Sequence, residues 1–187
     1  MKHPASREFY AYWDEKRAGA AAPERSDLAP DQVRHLLGDI FVLSYDALAA
    51  YPFRVAGTRM CALLGRDLKG QSFTSLFHDA DREEIKDILG IVAEETQATV
   101  VGVTALAPDA TRFHLELLLL PFSARSHSPV SLTGLLAPLS PIEGSQTYGS
   151  LKDFSITSWR HLQQDRRPRA LRKWSLIRGL TVYEGLR

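Results

Sequence analysis

Apolar residues recur along this chain with two periods, one near 3.6 and one near 2, and the switches between them divide it into elements. In "SREFYAYWDEKRAG", Phe9, Tyr12, Trp13 and Lys16 fall at i, i+3, i+4, i+7. That spacing predicts an amphipathic helix with Ser6 as N-cap and Gly19 as stop, Lys16 laying its stem along the apolar face. "PDQVRHLLG" predicts a short helix with Pro30 near its first position and Gly38 at its end. "DIFVLSYD" and "YPFRVAGT" predict an antiparallel hairpin in which Phe53 and Val55 share one face and Arg54 takes the other. Thr58 is the expected cap of a short helix, "RMCALL", that Gly65 ends, and "RDLKGQSF" predicts a further helical turn stopped at Gly70. A longer helix, "DREEIKDILGIVAEET", carries the stripe Ile85, Ile88, Leu89, Val92, with Asp81 and Glu84 at capping-box spacing.

Three strand-like runs follow: "ATVVGVTALA", "TRFHLELLLLPFSA" and "PVSLTGLLAPLS". In the middle run Phe113, Leu115, Leu117 and Leu119 form a wholly apolar face. The opposite face changes from His114 and Glu116 to Leu118 and Leu120, so something must cover its far end. Two strands, a helical insert and three antiparallel strands predict an α+β fold: a five-stranded antiparallel sheet with the helices collected on one face. Beyond it, "SITSWRHLQQDRR" reads as helix and "KWSLIRGLTVYEG" as strand. The division is residues 1–29 for helix and linker, 30–141 for the sheet domain and 142–187 for a basic extension.

Charge separates the last part from the rest. Residues 1–151 carry 14 Lys/Arg against 19 Asp/Glu, whereas residues 152–187 carry nine against three. The extension therefore either folds back on the acidic body or meets a different partner. Its cluster, Arg160, Arg166, Arg167, Arg169, Arg172 and Lys173 between Trp159 and Trp174, has the composition of a nucleic-acid surface. Pro168 would break one long DNA-reading helix, so a docked extension is the favoured reading. No apolar run approaches the ~20 residues of a membrane span. The N-terminus has no apolar signal-peptide core, and one cysteine allows no internal disulfide. The expected location is cytoplasmic.

Candidates for chemistry are few. Cys61 lies mid-helix beside apolar neighbours, where an inert thiol is common. His78, Asp79 and Asp81 could be read as metal ligands, but acidic residues there also suit the start of the long helix. His114 reads as a paired outer-face histidine. Glu83/Glu84 and Glu94/Glu95 read as a solvated face. Phosphate-loop and nucleophile-elbow motifs do not occur. Arg59, in a helix otherwise reading Met-Cys-Ala-Leu-Leu, must pair, snorkel out or hold an anion.

The stretch "LLGRDLKGQSFTSLFHDADREEI", Leu63 to Ile85, resembles a PAS domain: Gly65 and Gly70 end two turns, and "HDADRE" opens the long helix. "FYAYWD", "RSDLAP" and "RVAGTRMCALLGRDLKG" are similar to the words of a bacterial family of stand-alone PAS-fold proteins, with Leu28 replacing Ile and Leu64 replacing Phe. The resemblance covers roughly Phe9 to Ser140. It implies a core cavity, for which Phe53, Val55, Arg59, Cys61, Leu64, Phe73, Leu115 and Leu117 are the candidate lining, with a small molecule as candidate occupant. It also implies a homodimer through the N-terminal helix, with Phe9, Tyr12 and Trp13 as interface candidates. Output would pass by protein contact to signalling proteins such as histidine kinases. The cysteine motif of flavin-adduct PAS proteins is absent, the long helix lacks the histidine of haem-binding ones, and the sequence names no cofactor. Two competing readings stand beside this one: a nucleic-acid-associated regulator acting through the tail, and a small enzyme using the cavity. The second requires a convergent acid/base pair that the sequence does not display.

Overall fold

The computed structural model describes residues 1–46, 48–123, 130–141 and 151–162 in full, and residues 171–177 and 180–185 in backbone. Helix α1 (Pro4–Arg17) leads through 3-10 turns at Arg25–Asp27 and Pro30–Leu36 into β1 (Ile40–Ser44) and β2 (Phe53–Ala56). Next come α2 (Thr58–Leu64) and α3 (Arg82–Glu94), then β3 (Thr99–Leu106), β4 (Arg112–Pro121), β5 (Ser131–Pro138) and β6 (Lys152–His161). One antiparallel sheet runs in the order β2-β1-β5-β4-β3-β6. β7 (Leu171–Ile177) and β8 (Leu180–Gly185) form a two-stranded antiparallel pair where a single strand-like piece was expected.

The sheet has six strands, not five. Residues 155–161 of the segment expected to be helical belong to β6, which pairs along β3 from Lys152 to His161, and the remainder from 163 lies outside the described residues. A domain boundary at 141/142 therefore cuts the sheet. Part of the basic extension does fold back on the body, while Arg166, Arg167 and Arg169 lie outside the described residues.

Both faces of the sheet carry a cover, the outer one over part of its length. Leu115, Leu117 and Leu119 turn inward as expected, onto Phe53, Leu63, Leu64, Phe73 and the α3 stripe Ile85, Ile88, Leu89, Val92. Leu118 and Leu120 turn outward and are buried under α1 together with Leu135, Ala137 and Ile40. The helices are thus not collected on one face. Phe9 and Trp13 are 1% and 0% exposed within their own chain. The Trp13 indole N–H donates to the Pro121 carbonyl at 2.9 Å. Trp13 and Phe9, expected at a dimer interface, fill the core instead, because the uncovered apolar end of β4 is the nearest surface that can take them.

The register of α1 differs from expectation by part of a turn. The buried positions are Ser6, Phe9, Trp13 and Arg17, while Lys16 places its ammonium 5.2 Å from the Tyr12 ring centre. His3, not Ser6, is the N-cap: its Nδ1 accepts from the Ala5 N–H at 3.2 Å. Ala18 takes the left-handed C-cap conformation, and Gly19 follows with φ +87.

The insert departs from expectation in three places. A bulge at Arg54, opposite Val42/Leu43, puts Phe53 and Val55 on different faces, since one extra residue inverts the alternation. "RDLKGQSF" is not helical: Gly70 N–H donates to Phe53 O and Phe53 N–H to Gln71 O, so the segment returns alongside β2. Asp81 makes no side-chain cap, and Glu84 instead accepts the Trp159 indole N–H at 2.8 Å.

Two outcomes follow. Ser6 Oγ is buried with no hydrogen-bond partner among the described residues. Ser6→Ala removes an unsatisfied hydroxyl from a helix and should raise stability by about 1 kcal/mol, read as a higher urea midpoint. Tyr45 donates its hydroxyl to Glu94, tying the end of β1 to α3. That bond, with burial and the carboxylate charge, pushes the Tyr45 phenol up to about 12. A phenol raised in the folded state stabilises it fully below pH ~10 and loses that contribution as pH rises towards 12. Tyr45→Phe should therefore flatten the alkaline fall in unfolding free energy between pH ~10 and 12, measured by urea titration at each pH.

Candidate functional site

The expected cavity residues divide into two groups. Phe53, Leu64, Phe73, Leu115 and Leu117 are buried together on the inner face. There the aromatic rings pack in series: Phe41 to Phe73 at 5.5 Å, Phe53 to Phe73 at 5.5 Å, Phe73 to Phe77 at 5.6 Å and Phe77 to Phe154 at 5.8 Å. These are contact distances for rings, so a guest on this face would have to displace side chains. Val55, Arg59 and Cys61 do not line it. Val55 is 47% exposed beyond the β2 bulge. Cys61 is half-buried on α2 against the rim of the core.

Arg59 points away from the core. Its Nε donates to Asp39 Oδ1 at 2.8 Å, and its Nη2 to Asp39 Oδ2 at 2.6 Å and to His35 O at 2.7 Å. The fork holds the turn before β1 against the start of α2. The same turn supplies the Gly38 carbonyl, which accepts from the Arg59 and Met60 N–H groups at 2.9 and 3.1 Å. Gly57 is the N-cap, not Thr58, and a Cβ on Gly57 would sit 2.2 Å from the Gly38 oxygen. The word "AGTR" is therefore a junction: a glycine lets two segments touch, and an arginine clamps them.

A groove of about 610 Å³ lies elsewhere, on the outer face beside α1. Val100 and Gly102 of β3 form its floor. Met1, Lys2 and Glu116 bound the β4 side, and Thr157, Ser158 and Arg160 bound the β6 side. Glu116 is 5% exposed and accepts the backbone N–H groups of Lys2 at 2.5 Å and His3 at 3.0 Å, pinning the N-terminal arm. The strand slips by one residue between Gly102 and Val103, which brings both Thr157 and Ser158 over Gly102. Sequence reasoning missed this groove because it made β6 a helix. The available signals were Gly102 inside a strand and Glu116 at the head of an apolar run.

The other candidates serve local structure. His114 Nδ1 lies 3.1 Å from Thr104 Oγ1. His78 Nδ1 accepts from the Ala80 N–H at 3.3 Å, and Asp79 pairs with Arg82 at 2.8 Å. Glu83 pairs with Lys86 at 2.6 Å. No three His, Cys, Asp or Glu side chains among the described residues are grouped so as to hold a metal ion. No helix among them is long and apolar enough to cross a membrane.

A protein-family model described as PAS domain matches residues 1–137. The chain belongs to the PAS family. Its α+β architecture, an antiparallel sheet with a helical insert, is that of a PAS domain, with β6 following the matched region. Solved structures similar to this PAS chain include a LOV protein of Rhodobacter sphaeroides, at 13% identity and TM-score 0.45, covering 64% of this chain and 73% of that one. A PAS domain of an HTR-like protein from Haloarcula marismortui is 19% identical with TM-score 0.43, covering 58% and 89%. The dark structure of the photoreceptor Aureochrome1 LOV is 15% identical with TM-score 0.45, covering 59% and 81%. No curated protein matches the chain.

Arg59→Ala leaves Asp39, whose side chain is 12% exposed, without its cation, while Arg59 itself is 55% exposed. The expected cost is about 1–2 kcal/mol of unfolding free energy, discounted for that exposure, with Arg59→Lys intermediate because it loses the fork. Chemical denaturation of the three proteins checks it.

Proposed function

We propose that this chain is a cytoplasmic PAS sensory or adaptor module whose output is protein–protein contact in bacterial two-component signalling, with histidine kinases as partners. The observation that carries the reading is the aromatic packing of the inner core. Phe41, Phe53, Phe73, Phe77 and Phe154 occupy the side of the sheet where the resemblance to PAS domains implies a cavity. A module so packed presents its surface, and not a buried reaction chamber, to the rest of the cell. Catalysis would need a convergent acid/base pair, and the titratable groups nearest the groove are engaged: Glu116 with two backbone amides and His114 with Thr104. Self-association through residues 5–18 would have to use the outer side of α1, where Tyr12 is half-buried and holds both the N–H and the carbonyl of Ala29.

The test is direct. Each histidine kinase encoded in the genome of origin is purified, and its autophosphorylation rate is measured with and without this protein at low micromolar concentration. At least one kinase should change its rate and co-sediment with the protein. If the whole panel is indifferent on both measures, the reading is withdrawn.

A further inference from the structure

The groove over β3 gathers hydroxyl and cationic side chains on one stretch of the outer face. Its floor is apolar at Val100 and bare at Gly102, where a Cβ would lie only 2.7 Å from Thr157 Oγ1 and 3.0 Å from Ser158 Oγ. Two hydroxyls are therefore gathered above a strip of floor without a side chain. Two cations face each other across it. Lys2 reaches it from the arm pinned on β4, and Arg160 from β6, with β3 lying between those strands. Both side chains are exposed, and neither has an ion-pair partner among the described residues. Glu116 is the one carboxylate of the wall, and its oxygens are occupied by the Lys2 and His3 N–H groups. The groove thus offers a net positive rim, hydroxyl donors and an apolar floor, in a volume of about 610 Å³ that suits a small molecule.

We propose that this groove binds a soluble amphiphilic carboxylate, an organic molecule with one anionic head and an apolar body. The Arg160 guanidinium matches a carboxylate in a planar, two-bond geometry, Thr157 and Ser158 donate to it, and Lys2 adds charge from the opposite wall. The apolar body lies against Val100. The inference rests on the sensory reading in that it gives the module its input. A ligand touching Lys2 favours the docked arm, and the arm leads within two residues into α1, so occupancy and α1 docking are thermodynamically linked.

Isothermal titration calorimetry of the full chain with octanoate, and with octanol as the uncharged analogue, tests it. The protein should bind octanoate more tightly than octanol. The double variant Lys2→Ala/Arg160→Ala should bind octanoate about tenfold more weakly and leave octanol unaffected. Both replaced side chains are exposed, and a far-UV circular dichroism melt confirms that the variant folds. Equal affinity for octanoate and octanol, no octanoate binding at millimolar concentration, or undiminished octanoate binding by the double variant each overturns the proposal. The comparison of the two ligands on the unaltered protein stands even if the variant does not fold. The kinase panel needs no ligand, so failure of the groove and failure of the sensory reading are told apart.

Discussion

Leu117 and Leu118 are neighbours in sequence, lie on opposite sides of one sheet, and neither touches water. A strand buried on both faces requires two separate covers, and most of the architecture consists of supplying them. The inner cover comes from α3, Phe73 and Phe77, which lie between β2 and β3 in the chain. The outer cover comes from α1, brought back across β4 and β5 by the turns at Arg25–Asp27 and Pro30–Leu36. At roughly 1.5–3 kcal/mol for each fully buried large apolar side chain, Phe9 and Trp13 contribute as much to holding the fold as any inner residue. The helix is a part of the core that happens to be encoded first.

The outer cover stops partway. It closes over Leu118, Leu120, Leu135 and Ala137, and at Glu116 the same face becomes polar. There the chain spends its buried carboxylate on fastening the arm that begins α1. Two regions with different physics therefore share one surface: a dry half where shape and apolar area decide, and a wetter half where hydroxyls and cations face solvent. The boundary residue touches both. Two hydrogen bonds, from the Lys2 and His3 N–H groups, join that boundary residue to the arm that begins α1.

Legibility in the sequence followed periodicity. β4 was readable because its two faces differ in pattern, and the same pattern announced that its far end needs a cover. The five strands within 30–141 and the α3 stripe were readable for the same reason, while their order in the sheet was not. Features that break periodicity were not. The Arg54 bulge inverts Val55, and no property of Arg54 or Val55 alone signals an extra residue. β6 carries "SITSWRH", whose spacing fits a helix face as well as a strand, and only the unpaired edge of β3 decides between them. Arg59 was correctly singled out as a charge needing an explanation. Its partner, Asp39, lies 20 residues upstream and meets it only because Gly57 allows two backbones to cross in contact.

β6 is the outermost strand beside β3, yet it is encoded after β5, at the far end of a long return. A chain ending where the family match ends, near residue 137, would keep most of the hydrophobic core but lack this strand, and with it Phe154. β3 would then present the backbone donors and acceptors that now pair with Lys152–His161, and Phe77 would lose Phe154. Such an exposed, β-branched edge is a template for joining other chains. During synthesis the same situation arises transiently, since the first five strands leave the ribosome before the sixth can close the β3 edge. The timing of that last strand sets how long each nascent molecule is open to its neighbours on the polysome.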